Sequence, residues 1–253
     1  MDNKYFWNNI ICYDMKKKVA FFGITIGMCL LILFTYLFFD RMFIFSQVID
    51  EAILMTICVF TLGRFYTKKE KYIEKYGRDE AYVYAFFRFH VTTMPFIYMS
   101  ALHPLYAANK LDIILFLPIR IIFGGYFLLS AVILHRKTIK IFGMDNLFMY
   151  YVYFPEKSKK TESVIHSMLR HPIYSAMARI SIGSGLLMGT IDSIVLGLVL
   201  PISQIFWLKL FEEKELVQRF PTYAEYIKNT NALINKPKNL FKFWKFLITP
   251  CKK

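Results

Sequence analysis

The sequence predicts an all-α, polytopic helical membrane protein with about six transmembrane helices. Hydrophobic residues make up 56% of the 253, above the roughly 45–50% usual in soluble domains. The formal net charge is nevertheless +14, so apolar runs alternate with basic ones, as in a multi-span protein with basic loops held on one side of a bilayer. Several of the apolar runs are long enough to cross a ~30 Å hydrocarbon core as helices.

Residues 1–18 are aromatic and basic, and Tyr5 and Trp7 suit the headgroup level. The first span is expected at 19–39, closed by Asp40-Arg41; Asp50-Glu51 opens a second at 52–65. Residues 67–80 carry charges of both signs at helical spacing and read as a solvated helical extension. A third span, 82–107, contains Pro95 and Pro104 and is expected to kink. The fourth, 113–134, includes Pro118 and the pair Gly124-Gly125, which permits close helix approach. A polar but aromatic connection follows over 135–172. Residues 173–211 are too long for one span and break near Gly189-Thr190, so they predict a hairpin of two. We divide the chain into a membrane region of about three spans, 1–110, and a core, 111–253.

Charge placement orients this plan. Segments 1–18, 64–80, 135–173 and 209–253 hold 4, 6, 7 and 10 of the 32 Lys and Arg residues, whereas the opposite loops hold only Arg41 and Lys110. The asymmetry puts both termini in the cytosol, in the cell membrane of a prokaryote or the endoplasmic reticulum of a eukaryote. Nucleic-acid binding is disfavoured, because the basic residues lie between apolar runs and form no stripe. Cys12, Cys29, Cys58 and Cys251 and the five histidines show no ligand spacing, so neither a disulfide framework nor a metal site is expected. The first apolar run is too long for a cleavable signal.

Chemistry-bearing residues gather at the two ends of the last hairpin. Arg170-His171-Pro172-Ile173-Tyr174 stands at its entrance, where Pro172 marks a helix start. Glu212-Glu213 ends its other arm, and adjacent carboxylates at a hydrocarbon edge are costly unless paired or hydrated. Folding the hairpin brings the acids beside Arg170 and His171. Arg179, inside the fifth span, is an intramembrane cation and a candidate for a substrate phosphate or carboxylate; Arg120 is a second, with snorkelling as its alternative.

These residues resemble the integral-membrane methyltransferases that include isoprenylcysteine carboxyl methyltransferase and the phospholipid N-methyltransferases. The resemblance covers roughly residues 120–237: Arg170-His171-Pro172 and Tyr174, then Glu212, Glu213, Leu216, Phe220, Tyr223, Tyr226 and Pro237, with Arg136 and Phe142-Gly143 upstream. The chain departs from the family pattern at Val164 and His166, at Ser175-Ala176 and at Phe220-Pro221, which leaves the methyl acceptor open between a phospholipid headgroup amine and a prenylcysteine carboxylate.

The resemblance implies an enzyme that moves a methyl group from S-adenosylmethionine to a lipid or lipidated substrate in the bilayer, with a cytosolic cofactor pocket under a C-terminal cap. It implies cofactor contacts by His166, Arg170, His171, Pro172, Tyr174, Glu212, Glu213, Tyr223 and Tyr226. A pocket with both charge signs suits this cofactor: an acid of the pair takes the ammonium, and Arg170 forks onto the carboxylate. Arg170, Arg179 and Glu213 are the residues expected to support catalysis. A reductase of the sterol reductase type using NADPH is the alternative, disfavoured because no acid follows Tyr174 closely; a non-catalytic membrane protein leaves the pocket unexplained.

Overall fold

The computed structural model describes residues 14–107, 111–158 and 163–249. Tyr5, Trp7, Cys12, Lys110 and Cys251 lie outside the described residues.

Helix α1 (Met15–Phe39) starts from Asp14, whose Oδ1 accepts the Lys16 backbone N–H at 2.9 Å, the usual side-chain cap. Helix α2 (Ser46–Thr67) begins ahead of the expected 52. Asp50 and Glu51 therefore sit inside it instead of opening it, and the packing explains how. His103 reaches Glu51 Oε2 at 2.7 Å through Nδ1 and Asp40 Oδ2 at 3.0 Å through Nε2. The Tyr36 ring stacks on this imidazole at 3.7 Å. Buried carboxylates persist only with such partners, and this cluster ties α1 and α2 to the helix that carries His103 at one end of the bundle.

Helix α3 (Lys69–Tyr76) continues the charged, exposed stretch until Gly77, whose φ of 74° reverses the chain into α4 (Arg78–Ala85). A π-helical turn at Phe86–His90 joins α4 to α5 (Val91–Tyr106), which contains both Pro95 and Pro104. The hydroxyls of Thr92 and Thr93 donate to the Arg88 and Phe89 carbonyls at 2.8 and 2.6 Å, satisfying carbonyls loosened by the wide turn.

Helix α6 (Leu117–Phe142) starts later and runs further than the expected 113–134. The backbone N–H groups of Ile114 and Leu115 bond the Gly189 carbonyl at 2.9 and 3.2 Å, which holds that stretch out of the helix. Pro118 then sits in the first turn, where its missing N–H costs nothing. The helix outlasts 134 because its basic end finds acceptors: Lys137 Nζ donates to the Leu247 carbonyl at 2.7 Å. Short helices α7 (Met144–Leu147) and α8 (Tyr150–Tyr153) follow.

The predicted hairpin is formed by α9 (Pro172–Met188) and α10 (Ile191–Arg219). Gly189 at φ 77° closes α9, and Thr190 with Ser193 forms a capping box that starts α10. Helix α9 lies at the centre, packed on α5, α6 and α10. Glycines on both sides of its contacts allow this: a Cβ at Gly185 of α9 would stand 2.4 Å from the Ser193 carbonyl, and one at Gly124 of α6 3.0 Å from Leu187 N. Only the first glycine of the 124–125 pair makes a close approach; Gly125 faces open space.

Helices α1, α6 and α10 are each long and apolar enough to cross a membrane. Their outer faces expose large apolar side chains, among them Phe34 at 70%, Leu129 at 65% and Phe206 at 59%, a pattern that water does not support but lipid does. The other three rods, α2, α4–α5 and α9, occupy the remaining predicted spans. Two small helices, α11 (Tyr223–Asn229) and α12 (Leu240–Ile248), end the described chain. Among the described residues there is no strand, only two isolated bridges; the protein is an all-α membrane protein.

Candidate functional site

The end of the bundle opposite the Asp40–His103–Glu51 cluster holds a cavity of about 400 Å³, within the size range of small-molecule sites. Its apolar wall comes from α2 and α5 (Leu62, Thr93, Met94, Ile97), and its polar wall from the hairpin ends and the segment after them.

Pro172 starts α9 and leaves His171 in a non-helical conformation, so the imidazole turns towards the far arm of the hairpin. Its Nδ1 lies 3.3 Å from Glu212 Oε1 and its Nε2 3.1 Å from Glu213 Oε1. Burial disfavours the charged ring, but the two carboxylates outweigh burial and hold the His171 pKa above its ordinary value. Glu212 also accepts the Tyr174 hydroxyl at 2.6 Å and the Trp207 indole N–H at 3.0 Å, both on Oε2. The π-helical turn over Leu208–Glu212 rotates the acid pair so that the two carboxylates reach opposite sides of the same imidazole.

Arg170 is engaged on all sides. Its Nε and Nη2 donate to Glu213 Oε1 at 2.9 and 2.8 Å, and its Nη1 to the Ile227 carbonyl at 2.9 Å and to the Thr230 carbonyl. Backbone bonds run alongside, from Arg170 N to Asn231 O at 2.9 Å and from His171 N to Ala232 O at 3.2 Å. This arginine joins the hairpin entrance to the C-terminal segment, which closes over the cavity as a cap. Tyr223 and Tyr226 belong to that cap: the first lies 3.3 Å from His171 Nε2, and the second donates to the His166 carbonyl. Burial raises the pKa of both phenols, that of Tyr226 to about 12.

His166 stacks on Phe142 at 5.1 Å and pairs with Ser163 Oγ through Nδ1 at 2.7 Å. Burial, helped by the neighbouring His171 charge, lowers its pKa to about 4, so the ring is neutral near pH 7. Its Nε2 is buried with no hydrogen-bond partner.

The cavity wall thus includes His166, Arg170, His171, Pro172, Tyr174, Glu212, Tyr223 and Tyr226. Glu213 and Arg179 are not among the lining residues. Glu213 stands behind His171 as its counterion. Arg179 is buried against the later chain, 4.6 Å from the Phe243 ring and 5.7 Å from that of Phe127, with Nη1 3.3 Å from Ser130 Oγ. Its helix turns it towards α6 and α12, away from the cavity. Arg120 supports the hairpin turn by donating from Nε to the Leu187 carbonyl at 2.8 Å.

Sequence reasoning missed Trp207, Tyr66, His90 and Arg219. Arg219 lines the cavity and pairs with Glu215 at 2.9 Å, while its Nε has no partner; the four-residue spacing of that pair on a helix was a readable signal. His90 was legible as a polar residue in an apolar run. Nothing in the local sequence marks Trp207 or Tyr66, which are brought in by packing alone.

Residues 119–222 match the family model described as phospholipid methyltransferase. The match takes in α9, the acid pair and the cavity's polar wall, and stops just short of Tyr223. No curated protein and no solved structure matches the chain.

Proposed function

We propose that this membrane protein, whose residues 119–222 fall in the phospholipid methyltransferase family, moves a methyl group from S-adenosylmethionine to an amphiphile whose tail stays in the bilayer. The observation that carries the reading is the cavity, with a wall of paired charges on one side and an apolar wall of membrane helices on the other. A headgroup and a charged cofactor meet there while hydrocarbon remains outside. Of the two acceptors compatible with the sequence, the family match favours a phospholipid amine over a prenylcysteine carboxylate.

The residues present fit the cofactor's methionine end. Glu212 keeps acceptor capacity beyond its three present donors, since a carboxylate offers about four lone-pair sites, and it takes the ammonium. Arg170's fork is filled by Glu213, and Arg219 holds Glu215 through Nη2 and Ser158 Oγ through Nη1, so Arg219 offers the carboxylate the one nitrogen left open, its unpartnered Nε in the wall. His166, neutral and with one free ring nitrogen, offers a further hydrogen bond. The bound cofactor would supply a methyl group on a sulfonium whose sulfur departs as a neutral thioether without acid assistance, and an amine acceptor would meet it deprotonated, its proton having gone to solvent.

The protein's task is therefore to align the partners and exclude water. Arg170, His171 and Glu213 act by holding the cap shut, and Tyr223 and Tyr226 form its inner surface. Arg179 has no contact with either substrate in this reading. We also propose that the six long helices each cross the membrane with both termini cytosolic, the cavity facing the cytosol. Incubating membranes that contain the protein with methyl-labelled cofactor, then separating lipid from protein, tests the assignment. Label in an aminophospholipid is expected; label in protein alone points to a prenylcysteine acceptor, and no incorporation above a Glu212→Gln control rejects the reading.

A further inference from the structure

The last helix, α12, has three faces with three different surroundings. Phe243 and Leu247 point inward and are buried, Phe243 beneath Arg179. Leu240, Phe241, Trp244 and Ile248 point outward and are bare, with Phe241 82% and Ile248 75% exposed. Lys242 and Lys245 fill the third arc and are exposed, as is Lys238 just ahead of the helix. Protein, hydrocarbon and water each meet one face, the arrangement of a helix lying in a membrane interface.

Its position agrees. Trp244 stacks on Tyr126 of α6 at 5.0 Å, so the bare apolar face continues the lipid-facing surface of a helix long enough to span. At the other side Lys242 Nζ bonds Ser167 Oγ at 2.8 Å, which lies on the cavity wall. The helix thus runs at the depth where chains meet headgroups, on the cavity side. Charge points to the occupant. No Asp or Glu follows Glu225, while Lys228, Lys236, Lys238, Lys242, Lys245, Lys252 and Lys253 do. Among the described residues, the exposed lysines Lys238, Lys242 and Lys245 form a one-signed surface, and beside a bilayer such a surface selects negative headgroups.

We propose that α12 is an interfacial anchor that binds anionic phospholipid headgroups of the cavity-side leaflet through Lys238, Lys242 and Lys245, with Phe241, Trp244 and Ile248 in the acyl layer. The proposal does not depend on which reaction the cavity performs.

The test uses the full chain in phosphatidylcholine nanodiscs with increasing phosphatidylglycerol. Trp244 emission is read as the difference from a Trp244→Phe variant, with and without chains brominated near the glycerol. The expected result is bromine quenching of Trp244 together with an emission change that saturates with phosphatidylglycerol. Each of Lys238→Gln and Lys245→Gln should raise the half-saturating fraction about fivefold, as one surface lysine does near an anionic bilayer. Absence of quenching overturns the placement in lipid. A response to phosphatidylglycerol that is absent, or unchanged in the lysine variants, overturns the headgroup site. An unchanged melting temperature in the same variants verifies that they are folded, so a loss of response is not misread.

Discussion

Replacing Glu213 by Gln removes the negative charge that stands between the Arg170 guanidinium and the His171 ring. Its Oε1 receives Arg170 Nη2 at 2.8 Å and His171 Nε2 at 3.1 Å, and the three side chains are only 10%, 5% and 11% exposed for Arg170, His171 and Glu213. Breaking a buried ion pair from one side costs about 3–5 kcal/mol, because the other charge stays uncompensated. The amide oxygen of Gln still accepts one of the bonds, and loss of a charge-assisted bond alone is about 1.5–3 kcal/mol. We therefore expect about 2–4 kcal/mol, felt first where Arg170 holds the Ile227 and Thr230 carbonyls. Hydrogen exchange in residues 223–233 should speed up by tenfold or more, and the melting temperature should fall. Arg170→Lys should reproduce the faster exchange, since a single ammonium nitrogen lacks the planar guanidinium that holds Glu213 through Nε and Nη2 while Nη1 reaches the cap carbonyls. If Glu213→Gln melts like the wild type and exchange in the cap is unchanged, the Arg170–Glu213 pair does not hold the cap and the division of roles between the two acids fails.

Stability should pass through a maximum with pH. The His171 pKa is raised in the fold, so its contribution is complete below its ordinary value and disappears as pH rises through the folded value; the His166 pKa is lowered to about 4, so stability falls as pH drops from about 6.5 towards 4. Melting curves across pH should lose the alkaline limb in His171→Gln and flatten on the acid side in His166→Gln. His103→Leu strands the buried Asp40 and Glu51 carboxylates and should destabilise by about 3–5 kcal/mol without altering cofactor affinity in whatever fraction remains folded, as ligand binding and thermal melting together would report. Arg179→Gln should leave the apparent constants for cofactor and lipid unchanged while loosening α12, through loss of a cation–π contact of about 1–2 kcal/mol; a selective rise in the lipid constant would return Arg179 to the substrate site.

The fold was legible because lipid-facing and core-facing surfaces are both apolar and so leave long runs, and because Pro172 and Gly189-Thr190 mark where the hairpin starts and turns. Boundaries failed where tertiary partners override local character. Asp50 and Glu51 look like a helix entrance but lie within α2 because His103 on α5 takes Glu51 together with Asp40, and Lys137 continues α6 because α12 offers it carbonyls. Within the site, the meeting of Arg170 and His171 with Glu212 and Glu213 follows from a hairpin whose two ends return to one end of the helical bundle. What sequence does not carry is the direction each side chain takes. Both acids read alike, yet the π-helical turn leaves Glu212 on the cavity and sends Glu213 behind it. Arg179 reads as a cation in need of an anion, yet three-dimensional packing supplies the Phe243 and Phe127 faces instead.

Calorimetric titration of S-adenosylhomocysteine into the purified wild type and Glu212→Gln tests whether Glu212 receives the cofactor's ammonium in this cavity. Saturable binding to the wild type is expected, with an affinity tenfold or more lower in the variant, corresponding to about 1.5–3 kcal/mol for a charged hydrogen bond, and the variant still folded by its melting curve. Equal affinity in the two proteins, or no binding to the wild type, would contradict that role for Glu212.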